Sequence, residues 1–355
     1  TIRKYKARFC ARGDKQIADV DYFESYAPVV SWSTVRMLLN LSIQKGWSTR
    51  QVDFSNAFVQ ADIEEEVYLT LPAMFKDKNL DDDVVLKLNK TLYGLIQAPR
   101  AWYFHLLGGF HALGFKESVN EPGVFIGRGM IIVCWVDDCL FFGPDKDKID
   151  GVIKELQDMG YTLTEEDSEK DVFTFLGVTI NRYGNDIVLS QHNLIKKVLE
   201  TAGWTECNPK KKPAALDPLG TNVKGIPFSA KWKYASVIGM LMYLCNNAHP
   251  EIQFAVHQYA CFTHCPKQSH AEAVKKICRY LKGVLVRDET ENRMHGPTFE
   301  KLEREEELKL DCYVDADFAG LWNHEDNEDP VCVKSRAGYC MMFCGSPVHW
   351  VSKLQ

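Results

Sequence analysis

The chain has 355 residues, enough for two or three domains, and its 46% hydrophobic and 25% charged content is typical of a globular protein. Its net charge of −6 excludes a molecule that binds nucleic acid through overall positive charge, and its apolar runs are too short to span a bilayer. The basic segment at residues 1–16 predicts either a local phosphate contact or a solvated strand edge.

The first 145 residues predict a mixture of strands and helices. Alternating apolar residues predict strands over Trp47–Phe54 and Val67–Leu71. A helix is predicted from Pro99, a favoured first-turn residue, to Gly114, which ends it. The apolar stripe of this helix includes Trp102 and is interpreted as core.

Met130–Gly143 is the most informative segment, because the adjacent Asp137 and Asp138 separate two apolar runs of strand length. The pattern predicts a hairpin with the acidic pair at its turn. Carboxylates in apolar surroundings are costly unless they are paired or bind metal, and two like charges raise that cost. Acidic turns are also common on solvated surfaces, so the pair alone leaves a metal site and a plain turn open.

The rest of the chain predicts further helices, strands and two linkers. Helices are predicted over Ile149–Met159, over Gln191–Ala202 with Ser190 as its cap, and twice within residues 229–283, the second from Ser269 to Gly283. Strands are predicted over Val172–Ile180, Asp186–Leu189, Leu308–Val314, Gly338–Cys344 and His349–Ser352. Linkers are predicted at residues 208–227 and 287–307, and the lysine run at 210–212 is interpreted as solvated linker rather than a phosphate patch or import signal.

The twelve cysteines form no CxxC pairs, which favours free thiols in a reducing compartment. The cluster of Cys261, His264, Cys265 and His270 fits no standard zinc spacing, so we expect no zinc site there.

Asp53 is the natural partner of the acidic pair, because it lies near the end of an apolar-alternating strand. The end of a strand and the tip of a hairpin can converge in one sheet. A two-metal phosphoryl-transfer site needs carboxylates from separated segments that hold ions about 3.5–4 Å apart. Asp53, Asp137 and Asp138 together therefore predict such a site.

Six motifs lie in a fixed order along the chain: Val52–Phe58 (VDFSNAF), Leu92–Trp102 (LYGLIQAPRAW), Trp135–Asp138 (WVDD), Phe175–Val178 (FLGV), Tyr280–Gly283 (YLKG) and Tyr313–Gly320 (YVDADFAG). In order and spacing they resemble the reverse transcriptase and the start of the ribonuclease H domain in the Pol polyprotein of copia-type (Pseudoviridae) LTR retrotransposons. Lys6–Gly13 and Tyr26–Val30 resemble the fingers segment of the same family.

The resemblance implies an α+β fold, namely a right-hand polymerase of palm, fingers and thumb, followed by connection helices and a truncated ribonuclease H-like β sheet. The expected domains are fingers and palm at residues 1–189, thumb and connection helices at 190–285, an acidic linker at 286–307 and an incomplete ribonuclease H-like domain at 308–355.

The resemblance also implies the catalytic acids. Asp53 and Asp137 are expected to ligate two Mg²⁺ ions, with Mn²⁺ as an alternative, and Asp138 to complete the metal site. The expected reaction is attack of the primer 3′-hydroxyl on the α-phosphate of a deoxynucleoside triphosphate (dNTP), with loss of pyrophosphate.

Substrate contacts are implied in the same way. Phe58, Tyr93 and Gly94 are expected to bind the dNTP, with Phe58 under the sugar, where it would exclude a ribose 2′-hydroxyl. Further expected contacts are Lys6 and Arg8 on the triphosphate, and Phe175, Leu176, Gly177 and Val178 in the primer grip.

The implied partners are an RNA template, a DNA primer, their RNA–DNA hybrid and other Pol segments such as integrase and protease, with no membrane. The implied location is cytoplasmic, in virus-like particles, with later delivery to the nucleus.

Asp315 matches the first acid of a ribonuclease H site, and Asp317 lies close by in sequence, but the sequence stops at Gln355. We expect no ribonuclease H activity from this chain, because one or two acids cannot hold two metals. Magnesium-dependent cleavage of an RNA–DNA hybrid by the pure protein would contradict that expectation.

Three positions depart from the family pattern: Trp135 replaces a usual tyrosine, Ile96 a usual lysine, and His249-Pro250-Glu251 a usual Arg-Pro-Asp. None of these changes removes a metal ligand, and Trp135 is expected to affect rate and fidelity more than reaction type. The leading hypothesis is therefore an RNA-directed DNA polymerase. The alternatives are an inactive or repurposed retroelement fragment that binds nucleic acid, and another palm-type two-metal enzyme such as a nucleotidyl cyclase.

Overall fold

The computed structural model describes residues 7–71, 84–166, 172–214, 219–222, 224–302, 308–318 and 334–355. The chain divides into two compact units. Unit 1 comprises Thr1–Ser31 and Gly46–Ser168, and unit 2 comprises Trp32–Lys45 and Glu169–Gln355. Antiparallel sheets and separate runs of helices make up the described part of the chain, which confirms the predicted α+β class.

The helices are α1 (Trp32–Lys45), α2 (Ala98–Ala112), α3 (Lys146–Asp158), α4 (His192–Ala202), α5 (Tyr234–Asn247), α6 (Gln253–Ala260) and α7 (Gln268–Glu291). The strands are β1 (Ser48–Phe54), β2 (Tyr68–Thr70), β3 (Val85–Lys87), β4 (Lys116–Glu117), β5 (Val124–Gly127), β6 (Met130–Trp135), β7 (Asp138–Gly143), β8 (Leu163–Glu166), β9 (Val172–Phe175), β10 (Val178–Tyr183), β11 (Asp186–Ser190), β12 (Thr298–Phe299), β13 (Leu310–Ala316), β14 (Arg336–Phe343) and β15 (Ser346–Leu354).

Unit 1 is built on a six-stranded antiparallel sheet with the order β4-β5-β6-β7-β1-β8. The central strands are almost wholly buried, as their apolar sequences predict, and α2 and α3 contribute apolar faces to the same core. Trp102 of α2 packs edge-on against Phe54 of β1, with ring centroids 5.3 Å apart. This packing fixes the ends of β1 and of the β6–β7 hairpin, which carry the predicted acids.

Unit 2 contains a four-stranded sheet, β12-β11-β10-β9, a three-stranded sheet, β13-β14-β15, and a helical core formed mainly by α4 to α7. Helix α1 belongs to this unit and presents three polar residues at intervals of four, a spacing that places them on one face. Arg36 donates to Val348 O at 2.7 Å, Asn40 to Phe343 O at 2.6 Å and Gln44 to Glu300 O at 2.7 Å. Arg36 and Asn40 of α1 therefore bind backbone carbonyls of the C-terminal sheet, and Gln44 binds the residue that follows β12.

The prediction of a single strand over Val172–Ile180 was wrong, because the segment forms a hairpin of two strands, β9 and β10. Leu176 and Gly177 form its two-residue turn with φ angles of +47° and +72°. Positive φ at both central residues is the signature of a type I′ hairpin turn, so the glycine breaks the strand. A prediction from apolar content alone cannot see this reversal.

The helix boundaries also differ from prediction in unit 2. Ser190 ends β11 and accepts from Asn181 Nδ2 at 2.9 Å, so it does not cap α4, whose first flanking residue is Gln191. Residues 229–283 contain three helices rather than two. The last of them, α7, starts at Gln268 and runs on to Glu291, so Gly283 lies inside it and part of the predicted acidic linker is helical.

The predicted boundaries of the four domains stay predictions. Within the described ranges, every helix falls short of the length and apolar content that a bilayer crossing requires.

Candidate catalytic site

The strand register of unit 1 brings two of the predicted acids face to face. β1 and β7 pair antiparallel so that Asp53 lies directly opposite Asp138. Side chains at directly opposite positions point to the same face, with Cβ atoms about 4.5–5.5 Å apart, and like charges placed there are destabilising. A cation bound between the two carboxylates would relieve such repulsion.

Asp137 joins them through the turn of the β6–β7 hairpin. Trp135 and Asp138 are the closing pair, and Val136 and Asp137 are the two turn residues. The Asp137 carbonyl accepts from Phe54 N at 2.8 Å, which ties the turn to the residue that follows Asp53. All three acids are partly exposed at this edge of the sheet. The structure thus brings Asp53, Asp137 and Asp138 together, as the sequence predicted.

An aromatic pair and an arginine lie next to the acids. The Phe58 and Tyr93 rings meet edge-on with centroids 5.0 Å apart, and the Arg8 guanidinium carbon lies 4.9 Å from the centroid of the Tyr93 ring. Burial raises the pKa of the Tyr93 hydroxyl, the Arg8 charge lowers it, and the charges of Asp137 and Asp53 raise it. Tyr93 therefore lies within the electrostatic field of both acids and of Arg8.

Gly94 permits a close backbone approach beside this pair. Its φ is +92°, and a Cβ atom built on it would lie 2.2 Å from the carbonyl oxygen of Ala11. Ala11 N also donates to Tyr93 O at 2.7 Å. No other residue type fits here without moving the segment that carries Arg8. Lys6 lies outside the described residues, so its predicted contact stays a prediction.

The predicted primer-grip residues lie in unit 2, at the turn of the β9–β10 hairpin. Phe175 is buried and packs edge-on against Trp32, with ring centroids 6.0 Å apart. The Tyr243 hydroxyl donates to Leu176 O at the tip of the turn. The hairpin is thus held at its base by an aromatic contact and at its tip by a hydrogen bond.

Asp315, the predicted ribonuclease H acid, lies on β13 opposite Gly338 and is exposed. Asp317 accepts from Arg336 N at 2.5 Å. This hydrogen bond gives Asp317 a structural role in joining the end of β13 to the start of β14.

The donor chemistry at the acidic turn suits a hard cation. Among the described residues no three His, Cys, Asp or Glu side chains form a ready-made metal cage. Mg²⁺ does not require one, because it is usually bound through one or two carboxylates together with waters and substrate phosphates. Oxygen donors on opposing strands at a partly exposed edge therefore fit a magnesium ion that shares its coordination with a nucleotide.

Sequence analysis missed two residues that position this chemistry. Trp102, interpreted as core, also donates its indole N–H to Val136 O at 2.6 Å, directly beneath the acidic turn. Tyr243 was assigned no role, although its hydroxyl fixes the Leu176 carbonyl. A tryptophan in an apolar stripe is a signal for such a role, because a buried indole N–H requires a partner, whereas Tyr243 is 43% exposed and gives no such signal.

A family model and curated relatives at 32–33% identity match this chain. The model of the family described as "Reverse transcriptase (RNA-dependent DNA polymerase)" matches residues 1–216. The retrovirus-related Pol polyprotein from transposon RE1 of Arabidopsis thaliana is 33% identical over 359 residues, which cover 100% of this chain and 23% of that protein. The corresponding polyprotein from transposon TNT 1-94 of Nicotiana tabacum is 32% identical, covering 99% of this chain and 26% of that protein.

The chain thus spans about a quarter of the length of these curated relatives. A solved structure of the foamy viral protease-reverse transcriptase in complex with double-stranded DNA is 14% identical, covers 89% of this chain and 45% of that chain, and has a TM-score of 0.44. The chain belongs to the reverse transcriptase (RNA-dependent DNA polymerase) family, and its resemblance to copia-type retrotransposon Pol polyproteins is confirmed.

Proposed function

We propose that this chain catalyses RNA-directed DNA synthesis by two-metal nucleotidyl transfer from a dNTP to a primer 3′-hydroxyl. The observation that carries the proposal is the register that sets Asp53 opposite Asp138, with Asp137 on the adjoining turn. Opposed carboxylates destabilise an empty sheet edge, so their presence together is best explained by a bound cation.

Asp53 and Asp137 would hold the two Mg²⁺ ions, and Asp138 would complete the negative field. When bound, the ions supply charge neutralisation and a lower pKa for the attacking hydroxyl. The protein itself contributes the position of the carboxylates. The buried strands β1 and β7 fix them before the substrate binds. Preorganised charge of this kind is the main source of catalysis in phosphoryl transfer.

The nucleotide would lie against Phe58 and Tyr93. The edge-on contact between these rings holds the Phe58 ring in place, so that it can pack under a deoxyribose and exclude a ribose 2′-hydroxyl. Arg8, stacked on Tyr93, is placed to donate to the triphosphate, for which a guanidinium is suited. The backbone of Gly94 would line the same pocket.

The β9–β10 hairpin would hold the primer end, with Leu176 and Gly177 at its tip. Its turn is stiff, because Phe175 is buried and the Leu176 carbonyl is bound by Tyr243. Template, primer and hybrid are the proposed nucleic-acid partners, and base pairing supplies the sequence information. Other Pol segments are proposed as protein partners, and virus-like particles in the cytoplasm, followed by the nucleus, as the location.

Primer extension on an RNA template tests this proposal. The Asp137→Asn variant should lose at least about 100-fold in rate, as expected when a preorganised charge is removed from the transition state. Asp158→Asn, an exposed acid at the end of α3, is the matched control and should retain full activity. Equal activity of wild type and Asp137→Asn would refute the assignment, and hybrid binding without any incorporation by the wild type would favour the inactive-fragment alternative.

A second readout does not depend on turnover. Asp53→Asn should raise the thermal unfolding temperature of the magnesium-free protein, because it removes a like-charge pair worth about 0.2–1 kcal/mol. Added Mg²⁺ should stabilise the wild type and leave Asp53→Asn unchanged. A magnesium effect of equal size in both proteins would contradict a metal site at Asp53.

A further inference from the structure

The lysine run at residues 210–212 is fixed to helix α7, which the linker interpretation did not predict. Lys210 N donates to Arg279 O at 2.9 Å, and Arg279 Nε donates to Asn208 O at 2.7 Å. These two hydrogen bonds tie residues 208–210 to the middle of the helix. The run is therefore presented from a defined place in unit 2.

Gly283 allows this segment to cross the helix at close range. A Cβ atom at Gly283 would lie 3.3 Å from Lys210 O and 3.5 Å from Pro209 Cβ. The first distance is tighter than an ordinary van der Waals contact, so a larger side chain would push the segment away. Gly283, which the sequence predicted to end the helix, thus lies inside α7 and allows the lysine segment to pack closely against it.

The segment adds its charges to those of the helix. Lys275, Arg279 and Lys282 are spaced by four and three residues, so they share one face of α7. The Lys275 ammonium lies 5.8 Å from the centroid of the Trp204 ring. Together these residues form the α7 basic surface, which consists of Lys210, Lys211, Lys212, Lys275, Arg279 and Lys282.

This surface is positive on a protein whose net charge is −6. Within the described ranges, none of its six cations takes part in an ion pair. Glu206 and Glu272 are acidic residues near it in sequence or one helical turn away on α7. Lys210, Lys211 and Lys212 are exposed to solvent.

We propose that the α7 basic surface binds the phosphate backbone of a nucleic-acid strand. The chain segment and the helix together present several cations, which suit the repeating phosphates of a nucleic-acid backbone. Such contacts do not depend on the base sequence. An import receptor would instead need the lysine run as a free extended peptide, whereas the backbone of its first residue, Lys210, is hydrogen-bonded to Arg279. The inference rests on the proposed function, since it assigns the nucleic acid of that reaction a contact on unit 2.

The test is equilibrium binding of labelled RNA–DNA hybrid and single-stranded RNA over a range of salt concentrations, without nucleotides. The triple variant K210Q/K211Q/K212Q should bind at least about 10-fold more weakly at low salt. The slope of the logarithm of the binding constant against the logarithm of the salt concentration should decrease in magnitude by about 2–3, because each lost phosphate contact contributes about 0.7–0.9. The hybrid and the single strand show which nucleic acid is bound more tightly.

The matched control removes three exposed lysines of the same unit, in K224Q/K231Q/K233Q, and should leave affinity and slope close to wild type. If both triple variants lose the same affinity for nucleic acid, the effect comes from net charge alone and the proposal is wrong. Unchanged nucleic-acid binding of K210Q/K211Q/K212Q together with lost binding to an import receptor would also overturn it.

Gly283→Leu tests the geometry without changing the charge. It should keep or raise helix stability, because leucine is a better helix former than glycine, yet it should displace the lysine segment and weaken binding. Wild-type affinity of Gly283→Leu would show that the anchored arrangement is not needed. The binding assay contains no nucleotides and measures no turnover, so failure of the proposed catalysis leaves this test intact.

Discussion

The indole N–H of Trp102 donates to the carbonyl of Val136 at 2.6 Å, and Val136 has a φ angle of +57°. A β-branched residue in the left-handed region is a genuine outlier, with a strain of about 1–3 kcal/mol. Such a conformation persists only where its surroundings determine it, and here Trp102 and the Phe54 N–H bond to Asp137 O do so. The turn that carries Asp137 is therefore strained and is held in place by these two hydrogen bonds.

Trp102→Phe should separate the role of Trp102 in the turn from its role in the core. An aromatic ring remains, but the partly buried Val136 carbonyl loses its donor, which should lower the free energy of unfolding by about 1–3 kcal/mol. We expect the turnover number for primer extension to fall about 10-fold, with little change in affinity for template–primer. Steady-state kinetics and thermal unfolding measure the two effects.

Tyr161→Phe is the matched control. Tyr161 packs edge-on against Phe54 with ring centroids 5.8 Å apart, and its hydroxyl donates to His105 O at 2.7 Å. Removing that hydroxyl should lower stability by a similar amount while the turnover number stays at the wild-type value. If both variants lose turnover equally, Trp102 acts only through stability.

Gly94→Ala should disturb nucleotide binding. Alanine would place a Cβ atom 2.2 Å from Ala11 O at a φ of +92°, so the segment that carries Arg8 must move. We expect KM for dNTP to rise about 10-fold or more, since a charge-assisted contact contributes about 1.5–3 kcal/mol. Gly46→Ala is the control, because Gly46 has a φ of +65° but open space around it. Equal KM values for both variants would contradict a role for the close approach.

Phe58→Ala should relax the choice between deoxynucleotides and ribonucleotides. If the ring excludes a 2′-hydroxyl, its loss should raise the relative incorporation of ribonucleotides about 10- to 100-fold, the usual range for a steric discrimination. Tyr93→Phe keeps the ring contact with Phe58 and should leave discrimination unchanged. Competition between the two nucleotide types in primer extension measures this ratio, and unchanged discrimination in Phe58→Ala would remove Phe58 from the sugar site.

The acidic site was predictable because its sequence pattern is local and the change from apolar to acidic residues is abrupt. Two apolar runs around Asp137 and Asp138 admit few structures other than a buried hairpin, and the β1 pattern ending near Asp53 offers a neighbouring strand. The register that opposes Asp53 and Asp138 is set by pairing between distant segments. Periodicity alone does not contain that information.

Helix α1 shows why other parts were missed. Its residues Arg36 and Asn40 are polar, yet both are buried. They donate to carbonyls of the C-terminal sheet, more than 300 residues away in sequence, and Arg36 donates also to carbonyls at the end of α5. Propensity rules count such positions as solvent-facing, and only tertiary structure reveals their partners.

Arg36 and His349 lead to a pH-dependent prediction for unit 2. Arg36 is buried with its guanidinium carbon 4.0 Å from the centroid of the Trp350 ring. Burial lowers the pKa of His349, and the Arg36 charge lowers it further. Tyr339 bonds to His349 Nε2 at 2.8 Å, which suits a neutral imidazole that accepts from the tyrosine hydroxyl. The folded protein thus disfavours the protonated form of His349.

Since the folded pKa lies below the ordinary value near 6.5, the unfolded chain takes up the proton first as pH falls. This contribution to stability is fully present above about pH 6.5 and declines as the pH falls from there toward the folded pKa. We expect His349→Gln to show a smaller loss of denaturation midpoint between pH 7.5 and pH 5.5 than wild type. His264→Gln, at an exposed position, should behave as wild type, and an undiminished loss in His349→Gln would show that this histidine is not held neutral.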